Sequence, residues 1–123
     1  MIKFIEMDPT VTIADQLKDD DDSPVILINT FVVAPGDAEE LLVAWTEDAK
    51  VMKRQAGFIS SQLHRGTAGS TVFLNYAIWE SLEHFRAAFD NPEFRAALDK
   101  YPDSATTSPH LVRKVAVSDI CVG

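Results

Sequence analysis

The sequence predicts that a buried strand ends and a helix begins at Asn75-Tyr76-Ala77-Ile78-Trp79-Glu80-Ser81. Side chains alternate between the two faces of a strand, so Asn75 and Trp79, four residues apart, lie on the same face. At ~3.3 Å per residue their α-carbons are about 13 Å apart. Ser81 belongs to the residue types that favour the N-cap of a helix. The stretch therefore marks a fold boundary and also holds a polar and aromatic pair that is a candidate site.

Two strands and the turn between them precede this boundary. A turn over residues 66–69 joins a strand over 58–65 to the strand over 70–80, so the two form an antiparallel hairpin. Earlier in the chain, a strand over 24–33 is apolar on both faces. A helix follows it, capped by Asp37 with Glu40 completing a capping box, and ends at Lys53-Arg54.

The segments after the boundary are helical and then extended. Ser81 caps a helix, and Asn91-Pro92 begins a further helical turn with Asn as the cap and Pro at the first helical position. A polar loop over 101–109 leads to a last strand over 111–117. The order β-α-β-β-α-β predicts an α+β, ferredoxin-like fold, in which an antiparallel sheet carries both helices on one face.

The other face of this sheet has no predicted cover. If Asn29 and Asn75 face the helices, the bare side carries Ile26, Ile28, Val32, Val72, Leu74 and Ile78. An exposed apolar patch of that size is typical of an interaction surface. We therefore expect a homodimer that packs sheet to sheet. The predicted domain spans residues 24–118, after a leader over 1–23 with an acidic linker at its end, and before a tail over 119–123.

The composition limits the partners. The 123 residues carry a formal net charge of −8, with 19 acidic against 11 basic side chains. Nucleic acids and anionic membranes are bound through clustered Lys and Arg, so neither is an expected partner. No apolar run approaches the roughly 18 residues of a membrane span. We expect a cytoplasmic protein.

No metal or cofactor motif is visible. Cys121 is the only cysteine, and the three histidines have no paired spacing, so a metal site is not predicted. No glycine-rich loop follows the first strand, as a nucleotide-binding fold would require. The residues therefore indicate no flavin, nicotinamide, haem or metal cofactor.

Several short stretches carry a family resemblance. They are Pro24-Val25-Ile26-Leu27-Ile28-Asn29, Pro35-Gly36, Gln55-Ala56-Gly57-Phe58-Ile59-Ser60, Leu63-His64-Arg65, the run 75–81, and Asn91-Pro92-Glu93-Phe94-Arg95. Over about residues 24–118 the chain resembles the antibiotic biosynthesis monooxygenase family of dimeric α/β barrels. That scaffold includes quinone-forming oxygenases of aromatic polyketides, small-quinol oxygenases and haem-degrading enzymes.

Two branches of this scaffold can be compared residue by residue. The polyketide oxygenases have an Asn and a Trp four apart on the third strand, which Asn75 and Trp79 match, but Phe85 stands where an aromatic residue with a hydroxyl is expected. The haem-degrading branch has an Asn on the first strand, which Asn29 matches. Ala88 and Leu98 stand at about the places of its Trp and His, so haem degradation is not implied.

The resemblance implies a cofactor-independent monooxygenase that uses O₂ to oxidise a phenol, quinol or anthrone-type polyketide to a quinone. Its candidate catalytic residues here are Asn75, Trp79, Asn29 and His64, and the candidate substrate contacts are Phe58, Ser60, Phe73, Phe85 and Phe89. The predicted hairpin register puts His64 opposite about Thr71 and Ser60 or Ser61 opposite Asn75. This register places His64 at the far end of the hairpin from Trp79, which weakens it as the base.

Other interpretations stay open at this point. The same barrel could hold a small aromatic ligand without catalysis, or catalyse an isomerisation or cyclisation. Trp79 could be plain core, and Asn75 could bond to nearby backbone. A buried Asn without a partner costs about 1–3 kcal/mol, which favours a specific partner. A cavity of several hundred Å³ beside Asn75 would favour a ligand function, and a filled space would favour a structural role.

Overall fold

The computed structural model describes residues 1–123 and contains five strands in one sheet, with helices between them. The strands are β1 (Lys3–Phe4), β2 (Val25–Val32), β3 (Phe58–Arg65), β4 (Val72–Trp79) and β5 (Thr106–Val112). The α-helices are α1 (Ile13–Gln16), α2 (Ala38–Lys53), α3 (Leu82–Phe89) and α4 (Pro92–Ala97). Single 3₁₀ turns lie at Pro35–Asp37 and Leu98–Lys100.

The sheet has the order β1-β5-β2-β4-β3. Strands β5, β2, β4 and β3 pair antiparallel, which confirms the predicted ferredoxin-like α+β fold. The leader adds β1 at the edge, parallel to β5, with Lys3 opposite Thr106. The sheet is therefore mixed and open, whereas the sequence predicted an antiparallel sheet.

The core lies between the sheet and the helices. On the covered face, Val25, Leu27 and Phe31 of β2 are buried beside Phe73, Ala77 and Trp79 of β4. This alternation follows from the period of two along each strand. In the β2–β4 register Asn29 lies directly opposite Asn75, in the middle of this face. None of the helices combines the length and the hydrophobicity that a membrane span requires.

The other side of the sheet, here called the open face, is incompletely buried and is mainly apolar on its two central strands, β2 and β4. Its side chains on β2 and β4 are half-buried or exposed: Ile26, Ile28, Val32, Val72, Leu74, Tyr76 and Ile78. The set includes all six apolar residues expected on the bare side of the sheet. Its composition resembles a buried surface more than a solvated one.

The last strand is where the sequence prediction was wrong. It spans Thr106–Val112, not 111–117, and residues 112–123 are exposed. Thr107 O accepts a hydrogen bond from the Ile5 amide, on the edge away from β2. Backbone groups alternate along a strand, so the Pro109 nitrogen points to that same edge and interrupts no bond to β2.

Helix ends confirm two predicted caps and correct a third. Ser81 Oγ accepts from the His84 amide, and Asn91 Oδ1 accepts from the Glu93 amide. Asp37 makes no capping bond, because its carboxylate accepts instead from Ser104 Oγ at 2.7 Å. A 3₁₀ turn over Pro35–Asp37 leads into α2 in place of the predicted capping box.

The leader is an integral part of the structure. Ile2 and Ile13 are buried, in separate core clusters. The Gln16 side chain accepts from the Leu111 amide and donates to the Leu111 carbonyl, both at 2.9 Å. These bonds pair backbone groups on the outer edge of β5 beyond the point where β1 ends. Helix α1 and strand β1 therefore protect the same edge of the sheet.

Candidate active site

A cleft opens between the covered face of the sheet and helices α2, α3 and α4. Its cavity volume is about 40 Å³, and its empty space is about 500 Å³ when the part open to solvent is included. A water molecule needs ~10–15 Å³ by the first measure, so the cavity is narrow and smaller than the several hundred Å³ typical of a ligand pocket. The polar lining consists of Asn29, Asp48, Ser61, Asn75 and the indole of Trp79. The apolar lining is Leu27, Phe31, Trp45, Ala49, Met52, Phe58, Ala77, Phe85, Phe89, Phe94 and Pro109.

Asn75 and Trp79 both present an unpaired polar atom. Asn75 Oδ1 and Trp79 Nε1 are buried and have no hydrogen-bond partner within the chain. Trp79 is only 1% exposed, and its ring is held edge-on by Phe58 at 5.5 Å and Phe85 at 5.7 Å between centroids. A buried polar group without a partner costs about 1–3 kcal/mol. Both atoms are therefore poised to bond a polar ligand.

Asn29 is held in a different way from Asn75. Its Oδ1 accepts two hydrogen bonds from β5, from Thr107 Oγ1 at 2.7 Å and from the Ser108 amide at 3.1 Å. Both bonds use the side-chain oxygen, so the amide N–H groups are the end that remains for a ligand. Asn29 can thus act as an oriented hydrogen-bond donor.

Asp48 is the one ionisable residue in the lining, and the sequence analysis missed it. It is 8% exposed, and its Oδ2 accepts from the Tyr101 hydroxyl at 2.7 Å. Burial raises the pKa of Asp48 from 3.8 to about 6, while the Tyr101 bond lowers it. Burial also raises the pKa of Tyr101, as do the charge of Asp48 and the shared hydrogen bond.

A signal for Asp48 was present in the helical pattern. It lies seven residues after Leu41 and four before Met52, on the apolar stripe of α2. A carboxylate on such a stripe faces the core, where it needs a partner or a function.

Phe58, Phe85 and Phe89 line the cavity, as do three of the four candidate catalytic residues. Phe85, where a hydroxyl was expected from the family pattern, is fully buried against Trp79 and Phe89. Asn29 and Asn75, which lie opposite each other on β2 and β4, both line this cavity.

The structure places His64 and Ser60 outside the cavity, which corrects their assignment to it. Pairing of the hairpin starts at Arg65 with Phe73, so β4 begins later than expected and His64 lies opposite Leu74. A shift by an odd number of residues moves side chains to the opposite face. His64 and Ser60 therefore belong to the open face, and Ser61 lines the cavity instead.

Phe73 is also outside the cavity. It packs in the core cluster of Phe31 and Tyr101, with the Arg65 guanidinium 5.0 Å from its ring centroid. The other histidines are elsewhere too. His84 Nδ1 bonds Ser81 Oγ at 2.7 Å. His110, on β5, lies beside the Gln16 side chain of α1. No three His, Cys, Asp or Glu side chains are grouped to hold a metal ion.

Comparison with known proteins gives a consistent family assignment. The model of the family "Antibiotic biosynthesis monooxygenase" matches residues 24–100. Tetracenomycin-F1 monooxygenase of Streptomyces glaucescens is 38% identical over 76 residues, which are 59% of this chain and 65% of that protein. The chain therefore spans just under two thirds of the length of this curated relative.

Two solved structures share the fold. A protein of Shewanella loihica PV-4, provisionally assigned as a monooxygenase, is 31% identical with a TM-score of 0.68, over 78% of this chain and 98% of that chain. SnoaB, a cofactor-independent oxygenase of Streptomyces nogalater, is 23% identical with a TM-score of 0.67, over 79% of this chain and 98% of that chain. The chain belongs to the antibiotic biosynthesis monooxygenase family.

Proposed function

We propose that this protein is a cofactor-independent monooxygenase that oxidises an electron-rich aromatic, a phenol, quinol or anthrone-type polyketide, to a quinone. One observation carries the proposal. Asn75 Oδ1 and Trp79 Nε1 are both buried without a partner on residues that line one aromatic cleft. An aromatic ligand that carries a hydroxyl donor and an oxygen acceptor would satisfy both atoms, because Asn75 Oδ1 accepts a hydrogen bond and Trp79 Nε1 donates one. The names of the tetracenomycin and SnoaB relatives support the same class of reaction.

The chemistry requires a substrate that reduces O₂ itself. Once deprotonated, the aromatic passes an electron to O₂, and the two radicals combine to a peroxide. Loss of water then leaves a carbonyl, so that a CH₂ group and O₂ give C=O and H₂O. The protein would exclude water from the ring system and stabilise its anion with fixed dipoles.

Each polar residue has a task in this scheme. The Asn75 amide nitrogen would donate to the substrate oxyanion, while its unpaired Oδ1 would accept from a substrate hydroxyl. The buried Trp79 indole would offer its N–H to a substrate oxygen. Asn29, whose oxygen is held by β5, would orient the substrate or the peroxide with its amide nitrogen. The cavity volume is about 40 Å³, so a substrate of several rings would extend into the part of the cleft that is open to solvent.

The biological unit in this proposal is a homodimer in the cytoplasm, with the open faces of two copies packed together. The incompletely buried apolar residues of that face support the pairing, because in a monomer they would remain exposed to solvent. No nucleic acid or membrane takes part in the scheme.

Oxygen uptake tests the proposed function. Purified protein free of metal and flavin would be given a panel of anthrones and quinols while O₂ is followed with an electrode. We expect turnover above the uncatalysed rate. Removal of one oxyanion donor typically lowers kcat by about 10²–10³-fold, so Asn75→Ala should fall in that range. Trp79→Phe should also slow turnover.

A matched control separates site effects from general damage. Glu39→Gln, on the exposed side of α2, should leave the rate unchanged. Conversion of substrate without O₂ uptake would favour an isomerase or cyclase, and tight binding without conversion would favour a ligand-binding dimer. Unchanged rates in both the Asn75 and the Trp79 variant would place the chemistry elsewhere.

A further inference from the structure

The cleft contains one ionisable side chain, and it is not a histidine. Among all residues that line the cavity, Asp48 alone can gain or lose a proton near neutral pH. His64 is exposed on the open face, His84 bonds Ser81, and His110 is beside Gln16. The proposed oxidation begins with loss of a proton from the substrate, so the site needs an acceptor. We propose that Asp48 is the general base of this site, an inference that rests on the proposed function.

The geometry leaves one carboxylate oxygen for the substrate. Oδ2 of Asp48 accepts from the Tyr101 hydroxyl at 2.7 Å, whereas no hydrogen bond within the chain reaches Oδ1. Tyr101 does not line the cavity, so it holds Asp48 from the side away from the ligand. Tyr101 is itself fixed by parallel stacking on Phe31, with 5.6 Å between ring centroids. Tyr101 thus orients the carboxylate through Oδ2 and leaves Oδ1 available to a substrate.

The electrostatic surroundings suit a base. No lysine, arginine or histidine pairs with Asp48, and Tyr101 is the only titratable group that affects it from the elements packed against α2. The polar groups that the sheet presents to the cavity are all neutral: the amides of Asn29 and Asn75, the Ser61 hydroxyl and the Trp79 indole. Burial raises the pKa of Asp48 to about 6. A base whose pKa lies just below the working pH is largely ionised and still accepts a proton well.

An Asn at position 48 would accept the same Tyr101 bond without a buried charge. The structural role alone therefore does not require a carboxylate. Acceptance of the substrate proton does require a carboxylate, because an amide is not basic in this pH range.

The proton balance closes without another reagent. Asp48 takes one proton from the C–H or O–H of the substrate and becomes neutral, and the substrate becomes the anion that reduces O₂. After the carbon–oxygen bond forms, Asp48 returns this proton to the terminal peroxide oxygen. The O–O bond then breaks as the oxidised carbon loses its remaining hydrogen, which gives C=O and H₂O. The substrate supplies all the electrons, and Asp48 ends as it began.

The pH dependence of kcat/KM for O₂ uptake tests the assignment. The wild type should show a rate that rises with pH, with its midpoint near the pKa of about 6. Asp48→Asn should lower kcat/KM at neutral pH by about 10²–10⁴-fold and abolish that rise. Glu47→Gln, the adjacent carboxylate on the outer side of α2, is the matched control and should keep the wild-type profile.

A Tyr101→Phe variant distinguishes a base from a purely structural Asp48. A purely structural role predicts no change in the midpoint of the pH–rate profile. The Tyr101 bond lowers the pKa of Asp48, so its loss should shift the midpoint of the rate profile to higher pH while activity persists above it. The carboxyl stretch in infrared difference spectra, absent in Asp48→Asn, should titrate at the same midpoint as the rate. This variant also decides the matter if Asp48→Asn does not fold.

The outcomes separate the two proposals. An active wild type whose rate and pH profile survive Asp48→Asn would overturn the base assignment and leave the proposed function standing. A Tyr101→Phe midpoint that does not move would also count against Asp48. Wild-type protein that consumes no O₂ with any substrate of the panel would overturn both.

Discussion

At the scale of single residues, the site is defined by what its polar groups lack. Asn29 and Asn75 are opposite each other in the sheet, but Asn29 has two protein partners for its oxygen and Asn75 has none. Asp48 has one neutral partner and no counter-ion. Each unpaired group destabilises the folded chain slightly and becomes useful when a ligand supplies the missing bond.

The buried carboxylate of Asp48 should make stability depend on pH. Its folded pKa of about 6 is raised above the ordinary 3.8, so the folded state binds this proton more tightly than the unfolded state. The resulting stabilisation is full below about pH 4 and is lost as the pH rises through about 6. At 1.36 kcal/mol per pKa unit, the difference is about 3 kcal/mol.

Urea unfolding of Asp48→Asn against the wild type measures this effect. The variant should gain about 3 kcal/mol in unfolding free energy relative to wild type between pH 4 and pH 7.5, because its side chain stays neutral throughout. Glu47→Gln, with a half-buried side chain on the same helix, should show a much smaller change with pH. A constant difference between Asp48→Asn and wild type would mean that Asp48 has the same pKa in the folded and the unfolded chain, so that burial does not disfavour its ionised form.

At the scale of elements, local patterns predicted most of the fold. Strands β2 and β3, helix α2 and the caps at Ser81 and Asn91 follow from alternation, helical spacing and cap residues. These features depend on neighbours in sequence, which is why the sequence alone shows them. The common face of Asn75 and Trp79 follows from the same period of two.

The errors concern elements fixed by distant partners. Strand β5 contains Thr106, Ser108 and Pro109 and has little apolar alternation; it is extended because it pairs with β2 and β1. The hairpin register depended on where β4 begins, and that shift moved His64 and Ser60 to the open face. Asp48 acquired its environment from Tyr101, which is 53 residues away in sequence.

The leader provides a test at this scale. Ile13 of α1 is 6% exposed and shares a core cluster with Trp79 and Phe85. Ile13→Ala should lower the unfolding free energy by about 2–5 kcal/mol, as expected for truncation of a buried isoleucine. Val11→Ala, at a residue that is 45% exposed, should change it by less than about 0.5 kcal/mol.

The unfolding free energies of the Ile13→Ala and Val11→Ala variants are measured by urea unfolding of the full chain. Equal small effects for the two variants would show that the leader does not pack on the domain in solution. A large effect for Ile13→Ala would instead make the leader a support of the site, because Trp79 belongs to the same cluster.

At the scale of the whole molecule, one face of the sheet carries the candidate site, and the open face is the one that we propose for assembly. The helices cover Asn29, Asn75 and Trp79, while the open face presents a row of branched apolar side chains. Stable interfaces bury about 800 Å² per partner. A sheet of four long strands offers a surface of that order. The formal charge of −8 opposes association at long range, so the pairing must rest on apolar contact and should tolerate salt.

A charge in the middle of the open face should break the proposed dimer. Leu74 is half-buried on β4, one of the two central strands, and Leu74→Asp would place an unpaired carboxylate in each half of the interface. An uncompensated buried charge costs about 3–5 kcal/mol, which weakens association by at least about 10²-fold at 1.4 kcal/mol per tenfold. Sedimentation equilibrium should give two chains for the wild type and one for this variant. Val43→Asp, the same kind of change at a residue that is 66% exposed on α2, should remain dimeric. A wild type that sediments as one chain at micromolar concentration would leave the open face without the partner proposed for it.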